Sequence, residues 1–119
     1  MIRTKSKYDP KEELDGIRVL VTRFWPTGIR KEHVSAMISI LGSSKELLLR
    51  YKKQLIIWKV FVSEYTRQID HNNKAQQEIE RLRLLSTDNN ITLLCYEREG
   101  ENCHRHVLKN LLEKPKFKF

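Results

Sequence analysis

The chain has 119 residues, 39% of them hydrophobic and 32% charged, and its 23 Lys and Arg against 15 Asp and Glu give a formal charge of +8. That length supports one domain, and the apolar content excludes a disordered polymer, which would hold too little Leu, Ile, Val and Phe to bury. No uncharged apolar run of about 18 residues exists and Met1-Ile2-Arg3-Thr4-Lys5 opens without a signal-peptide stretch, so a cytosolic protein with no membrane contact is expected, its two cysteines remaining thiols.

In chain order, Ile2, Thr4 and Ser6 alternate as a weak strand. Ile17-Arg18-Val19-Leu20-Val21-Thr22 is β-branched and follows an Asp15-Gly16 turn, which predicts a second strand. Val34, Met37 and Leu41 share a helical face that Gly42 can close, predicting a helix from about Arg30 to Leu41. Ser43 and Glu46 fit a capping box for the next helix. Leu55, Trp58, Val62, Tyr65 and Ile69 step by three and four, widened by Ile57 and Phe61, and predict a long helix. Ala75, Ile79, Leu82 and Leu85 mark another, opened by Asn72 or Asn73. Ile91-Thr92-Leu93-Leu94-Cys95-Tyr96 is nearly continuous in apolar residues, the signature of a strand buried on both faces in a parallel sheet. Val107, Leu108, Leu111 and Leu112 mark the last helix, and Pro115 ends regular structure. These elements predict an α/β fold with a small parallel sheet of about three strands flanked by about five helices in one domain.

Charge is unevenly distributed. Residues 17–53 hold eight basic and two acidic side chains, whereas 1–16 and 54–90 are each neutral. A basic surface of this kind attracts phosphate-bearing partners by Coulomb steering, or serves only to keep a domain in solution.

The run from Asp15 to Ile29, with its Arg23-Phe24-Trp25-Pro26-Thr27-Gly28 loop, resembles the strand and Arg-x-Trp-Pro-x-Gly loop of the YeaO-like proteins, a domain of unknown function. The spacing of Trp58, Phe61 and Tyr65 is similar to theirs, as are Leu94-Cys95-Tyr96-Glu97 and Cys103-His104-Arg105. The likeness covers Tyr8 to about Leu112. It implies a fold and a site but no reaction. Three departures stand out: Thr22 replaces a usual Asp, Thr27 replaces a usual Arg, and Lys52-Lys53-Gln54 lacks the family's glycine and proline break, which predicts a longer or bent helix.

In parallel α/β folds ligands sit beyond the carboxyl ends of the strands, which directs attention to the loops from Arg23 to Gly28 and from Glu97 to Arg105. Asn102 is expected to cap the last helix with Cys103 in its first turn, where backbone N–H groups, the helix dipole and Arg105 favour an anion, and Arg23 completes a clamp. The competing expectation pairs Arg23 and Arg105 with Glu97, Glu99 or Glu101. Trp25 and Pro26 offer a flat surface for stacking, or simply pack over the sheet edge. Cys103 at a helix start is a candidate nucleophile or redox thiol, and His104 a candidate acid or base. The phosphatase pattern fails, because Glu101 stands where its arginine would follow Cys95. Cys95 itself reads as a small core residue. Zinc is not expected, since His104 and His106 point about 200° apart on a helix and the cysteine spacing matches no finger.

The reading is a protein that binds a small anionic ligand, a nucleotide or phosphate ester, through Arg23, Trp25, Gly28, Glu97, Cys103, His104 and Arg105, with no cofactor. Its alternatives are a nucleic-acid binder using residues 17–53, with Arg23, Arg30, Lys31, Arg50, Lys52 and Lys53 on phosphates, or an interaction domain with an inert crevice.

Overall fold

A computed structural model describes residues 1–6, 9–23, 28–95 and 103–113. Four strands, β1 (Ile2–Ser6), β2 (Ile17–Leu20), β3 (Ala36–Met37) and β4 (Ile91–Cys95), form one sheet in the order β1-β4-β2-β3. Every pairing is parallel. β4 thus lies at the centre, and all five of its residues are buried, as its apolar run requires. Ile17 pairs with Ile91 and Leu20 with Leu94, while Ile2 pairs with Ile91 and Ser6 with Cys95 across the other side of β4.

The segment expected as a helix from Arg30 to Leu41 is instead a 3₁₀ turn (Lys31–His33), β3, and a second 3₁₀ turn (Ser39–Leu41). Val34 is extended (φ −131°, ψ 128°), and the Ser35 and Ile38 amides donate to the Arg18 and Leu20 carbonyls. The helical spacing of Val34, Met37 and Leu41 lost to this pairing because β2 would otherwise present an unpaired edge. Gly42 is extended too, and it closes the short Ser39–Leu41 turn, its amide donating to the Ser39 carbonyl at 2.9 Å, in place of the long helix expected.

Among the described residues there are four α-helices, α1 (Lys45–Lys52), α2 (Trp58–Asp70), α3 (Asn73–Asp88) and α4 (His104–Glu113). Ser44, one residue beyond the expected Ser43, caps α1 by accepting from the Leu47 amide at 3.2 Å. Asn72 caps α3 through Ala75 at 3.0 Å. α2 buries Phe61, Tyr65 and Ile69, each worth about 1.5–3 kcal/mol for a large apolar side chain. Phe61 stacks on Trp58 at 4.7 Å between ring centres, and Tyr51 of α1 packs on both. Leu55, expected on the α2 stripe, precedes the helix and is 70% exposed.

No long helix bridges residues 52–54. α1 stops at Lys52, and Gln54 adopts φ 62°, with the Gln54 amide on the Tyr51 carbonyl and the Leu55 amide on the Arg50 carbonyl. This double bond pattern is a Schellman ending, achieved here without glycine.

Ahead of β2, Asp15 is fully buried and ringed by cations. Lys5 Nζ lies 2.9 Å from one carboxylate oxygen, Arg3 contacts the same oxygen at 3.4 Å, and the buried Arg18 is bonded to the other. One of the basic side chains of the 17–53 segment is therefore internal and neutralised. Among the described residues no helix is long and apolar enough to cross a membrane.

Candidate functional site

Because β2 and β4 are parallel neighbours, the chain leaves both at the same edge of the sheet, and α4 begins beside that edge. Cys95 ends β4, fully buried. Cys103 immediately precedes α4, its carbonyl accepting from the His106 amide at 3.1 Å. Their sulfurs are bonded to each other, in place of the two thiols expected from composition. The strand end and the helix start converge across a separation of eight residues, and redox compartment says nothing of such proximity.

His104 points from the first turn of α4 to β2. Its Nε2 donates to the Val21 carbonyl at 2.5 Å, and its Nδ1 lies 3.8 Å from Cys103 Sγ. A carbonyl only accepts, so Nε2 carries a hydrogen, and in the neutral form of the ring the lone pair sits on Nδ1, on the side of Cys103 Sγ. The side chain is 6% exposed, and its ring packs on Tyr65 at 5.5 Å.

Arg105 does not open into a crevice. It is wholly buried and donates from Nη1 to Cys95 Sγ at 3.0 Å. One turn of α4 therefore delivers a sulfur, an imidazole and a guanidinium to the end of β4. His106 is only half-buried and stands outside this group.

Arg23, just past β2, is half-buried and donates from Nε to the Gly42 carbonyl at 2.9 Å. A Cβ on Gly42 would lie 2.7 Å from the Arg23 amide nitrogen and 2.9 Å from the Thr22 carbonyl carbon, so glycine is required here for close backbone approach. Tyr65 closes the other side, its hydroxyl donating to the Leu41 carbonyl at 2.5 Å. Burial pushes the Tyr65 phenol far up, and the nearby Arg23 charge only partly offsets this, so it remains protonated. Thr22, where the YeaO-like proteins usually carry Asp, is buried.

Tyr65, on the α2 stripe, is a core residue, and Gly42 closes a turn; what their sequence positions did not show is that both also border this edge through the Leu41 carbonyl and the Arg23 backbone. The strand-end rule that located Arg23 would have found the cysteine pair, had it been applied to the end of β4 and the start of α4 together. Gly28 is exposed at φ 85°. Trp25, Glu97, Glu99, Glu101 and the expected cap Asn102 lie outside the described residues.

Cys95, Cys103 and His104 are all buried, with their donor atoms within 4.8 Å of one another. The same three residues fall in the two motifs that resemble the YeaO-like proteins. A family model described as "Active DUF488-N3 subclade" matches residues 2–116. The chain belongs to the DUF488 family. Within it, the chain is 29% identical over 113 residues to "Uncharacterized protein YeaO" of Escherichia coli (strain K12), covering 93% of this chain and 96% of that protein. It is 34% identical over 113 residues to "Uncharacterized protein Mb3100c" of Mycobacterium bovis and to "Uncharacterized protein Rv3073c" of Mycobacterium tuberculosis, covering 93% of this chain and 92% of each. No solved structure matches the chain significantly. These relatives are described as uncharacterized and assign the chain no reaction.

Proposed function

We propose that this DUF488 protein binds a small anionic molecule, a nucleotide or phosphate ester, at the carboxyl edge of its sheet, with Arg23 as the recognising residue. The observation that carries this reading is the state of Arg23: half-buried, tethered through Nε alone, and paired with no carboxylate among the described residues. A guanidinium so held keeps its Nη pair for an incoming oxyanion, and a planar fork suits phosphate or carboxylate. The location adds support, since parallel sheets take ligands beyond their strand ends. Arg105 adds only a buried positive charge at the end of β4, and Gly28 lies on the loop that follows Arg23. Cys103 and His104 form the buried floor, and Trp25 and Glu97 enter the proposal from their sequence positions. With its sulfur bonded, Cys103 has no thiolate, so the reading is of binding and needs no nucleophile.

The test is thermal unfolding with inorganic phosphate, pyrophosphate and adenosine monophosphate. Saturable stabilisation is expected, about 2.7 kcal/mol at a ligand concentration near 100 times Kd. Arg23→Ala should abolish it and Cys103→Ser should leave it. Absence of any shift, or a shift that Arg23→Ala preserves, overturns the proposal.

Nucleic-acid binding through residues 17–53 is the second reading. Arg18 is consumed by Asp15, and Arg50 is paired with Glu64 at 2.8 Å, so the outward charge is smaller than the sequence total. Short oligonucleotides should bind no more tightly than about 10⁻⁴ M at physiological salt. Micromolar binding with a steep salt slope would put this reading first.

A further inference from the structure

We infer that Cys95, Cys103 and His104, once the two sulfurs are reduced, form a site for a soft divalent metal ion, with zinc as the best match. Two thiolates and one imidazole are the donor types zinc prefers, whereas calcium and magnesium demand oxygen. The three donor atoms already lie within 4.8 Å of one another, and all three residues are buried. An ion about 2.0–2.3 Å from each donor of a tetrahedral site sets the donors roughly 3.5 Å apart. His104 Nδ1 and Cys103 Sγ, at 3.8 Å, stand near that separation now. The Cα atoms of Cys95 and Cys103 are 7.7 Å apart, which leaves room for side-chain rotation to part the sulfurs around an ion.

Two further contacts favour a metal over a bare dithiol pair. The Nε2–H to Val21 carbonyl bond fixes the His104 tautomer and turns the Nδ1 lone pair to the sulfurs, which is how metal-bound histidines are commonly oriented. Arg105 Nη1, 3.0 Å from Cys95 Sγ, stabilises the thiolate that a metal requires. The cysteines are also buried, at 0% and 3% exposure, which disfavours exchange with a large thiol partner.

The chemistry balances simply. A small dithiol reductant supplies two electrons and two protons, opens the Cys95–Cys103 bond and becomes its own disulfide. The metal ion then displaces the two thiol protons to solvent. Three donors among the described residues leave a fourth position for a further donor or a ligand atom. Arg23 is not a donor, so this inference stands apart from the anion proposal.

The test uses the full chain, reduced with excess dithiothreitol, freed of it without oxygen, and titrated with Co²⁺ as a spectroscopic probe for Zn²⁺. One equivalent should develop thiolate-to-cobalt charge-transfer absorption, release about two protons, and be displaced by Zn²⁺. The oxidised wild-type chain, which retains every residue, should show no such band. Cys103→Ser should weaken the band, and Arg105→Gln should lower affinity by roughly 10–100-fold. Should these variants fail to fold, the reduced and oxidised wild-type chains still decide the matter. A reduced chain without the band, or an oxidised chain with the same band, overturns the inference. Phosphate stabilisation that depends on Arg23 survives either result.

Discussion

His104 and Val21 are 83 residues apart in the chain and are joined by a 2.5 Å hydrogen bond from Nε2 to the backbone carbonyl. Through it the first turn of α4 is locked to the end of β2, which fixes the imidazole and its neighbours Cys103 and Arg105 at that end of the sheet. His104→Ala strands a buried carbonyl without its donor and removes the ring packed on Tyr65. A loss of about 2–4 kcal/mol in urea unfolding is expected, above the about 1–3 kcal/mol of an orphaned polar group alone. A loss under about 0.5 kcal/mol would show that the bond carries little.

Gly42 holds the Arg23 backbone close by having no Cβ. Gly42→Ala should push Thr22 and Arg23 away and cost about 1–3 kcal/mol. Phosphate-dependent stabilisation should weaken with it, since the Gly42 carbonyl anchors Arg23 Nε. Unfolding curves recorded with and without phosphate separate the two effects.

At the end of α1, Gln54 occupies a left-handed conformation that glycine adopts at less cost. Gln54→Gly should therefore stabilise the chain by up to about 1 kcal/mol, against the usual trend of substitutions. The position is exposed, so no packing is lost. An unchanged or lower urea midpoint would contradict the strain at this turn.

The Asp15 cluster gives the fold its pH dependence. Burial pushes the Asp15 carboxyl up, yet the Glu12 amide at 3.0 Å, Lys5 and Arg18 together outweigh it and hold the group below the usual carboxylate range. The unfolded chain then binds more protons than the folded one at acid pH. The stabilisation is complete above the unfolded value of about 3.9 and is lost as pH falls through the lower folded value. Lys5 works in the opposite direction: burial lowers it, but Glu12 and Asp15 raise it further, so its contribution fades as pH climbs through the raised folded value. Asp15→Asn should flatten the acid limb of urea midpoints measured from about pH 5 down to pH 3. An acid limb identical to that of the wild type would place the responsible carboxylate elsewhere.

Local pattern carried the fold class. The all-apolar run of β4, the β-branched run of β2 and the three-and-four spacing in α2, α3 and α4 each name their element, because burial on a strand or helix imposes its own period on a few consecutive residues. The strand-end rule also directed attention to Arg23, Cys103, His104 and Arg105, and of these His104 and Arg105 reach the ends of β2 and β4 through Val21 and Cys95. What followed from contact between distant segments was beyond that pattern. Residues 31–41 have helical spacing, and only the open edge of β2 drew them into β3. The break at Gln54 has no glycine or proline to announce it and depends on how α1 and α2 pack. Cys95 and Cys103 look like a core residue and a helix-start thiol until strand and helix meet, and Arg105 looks like a surface cation until the fold encloses it against Cys95. Period and turn chemistry act over a few residues, whereas sulfur partners, buried charges and strand edges are set by which segments the completed core brings together.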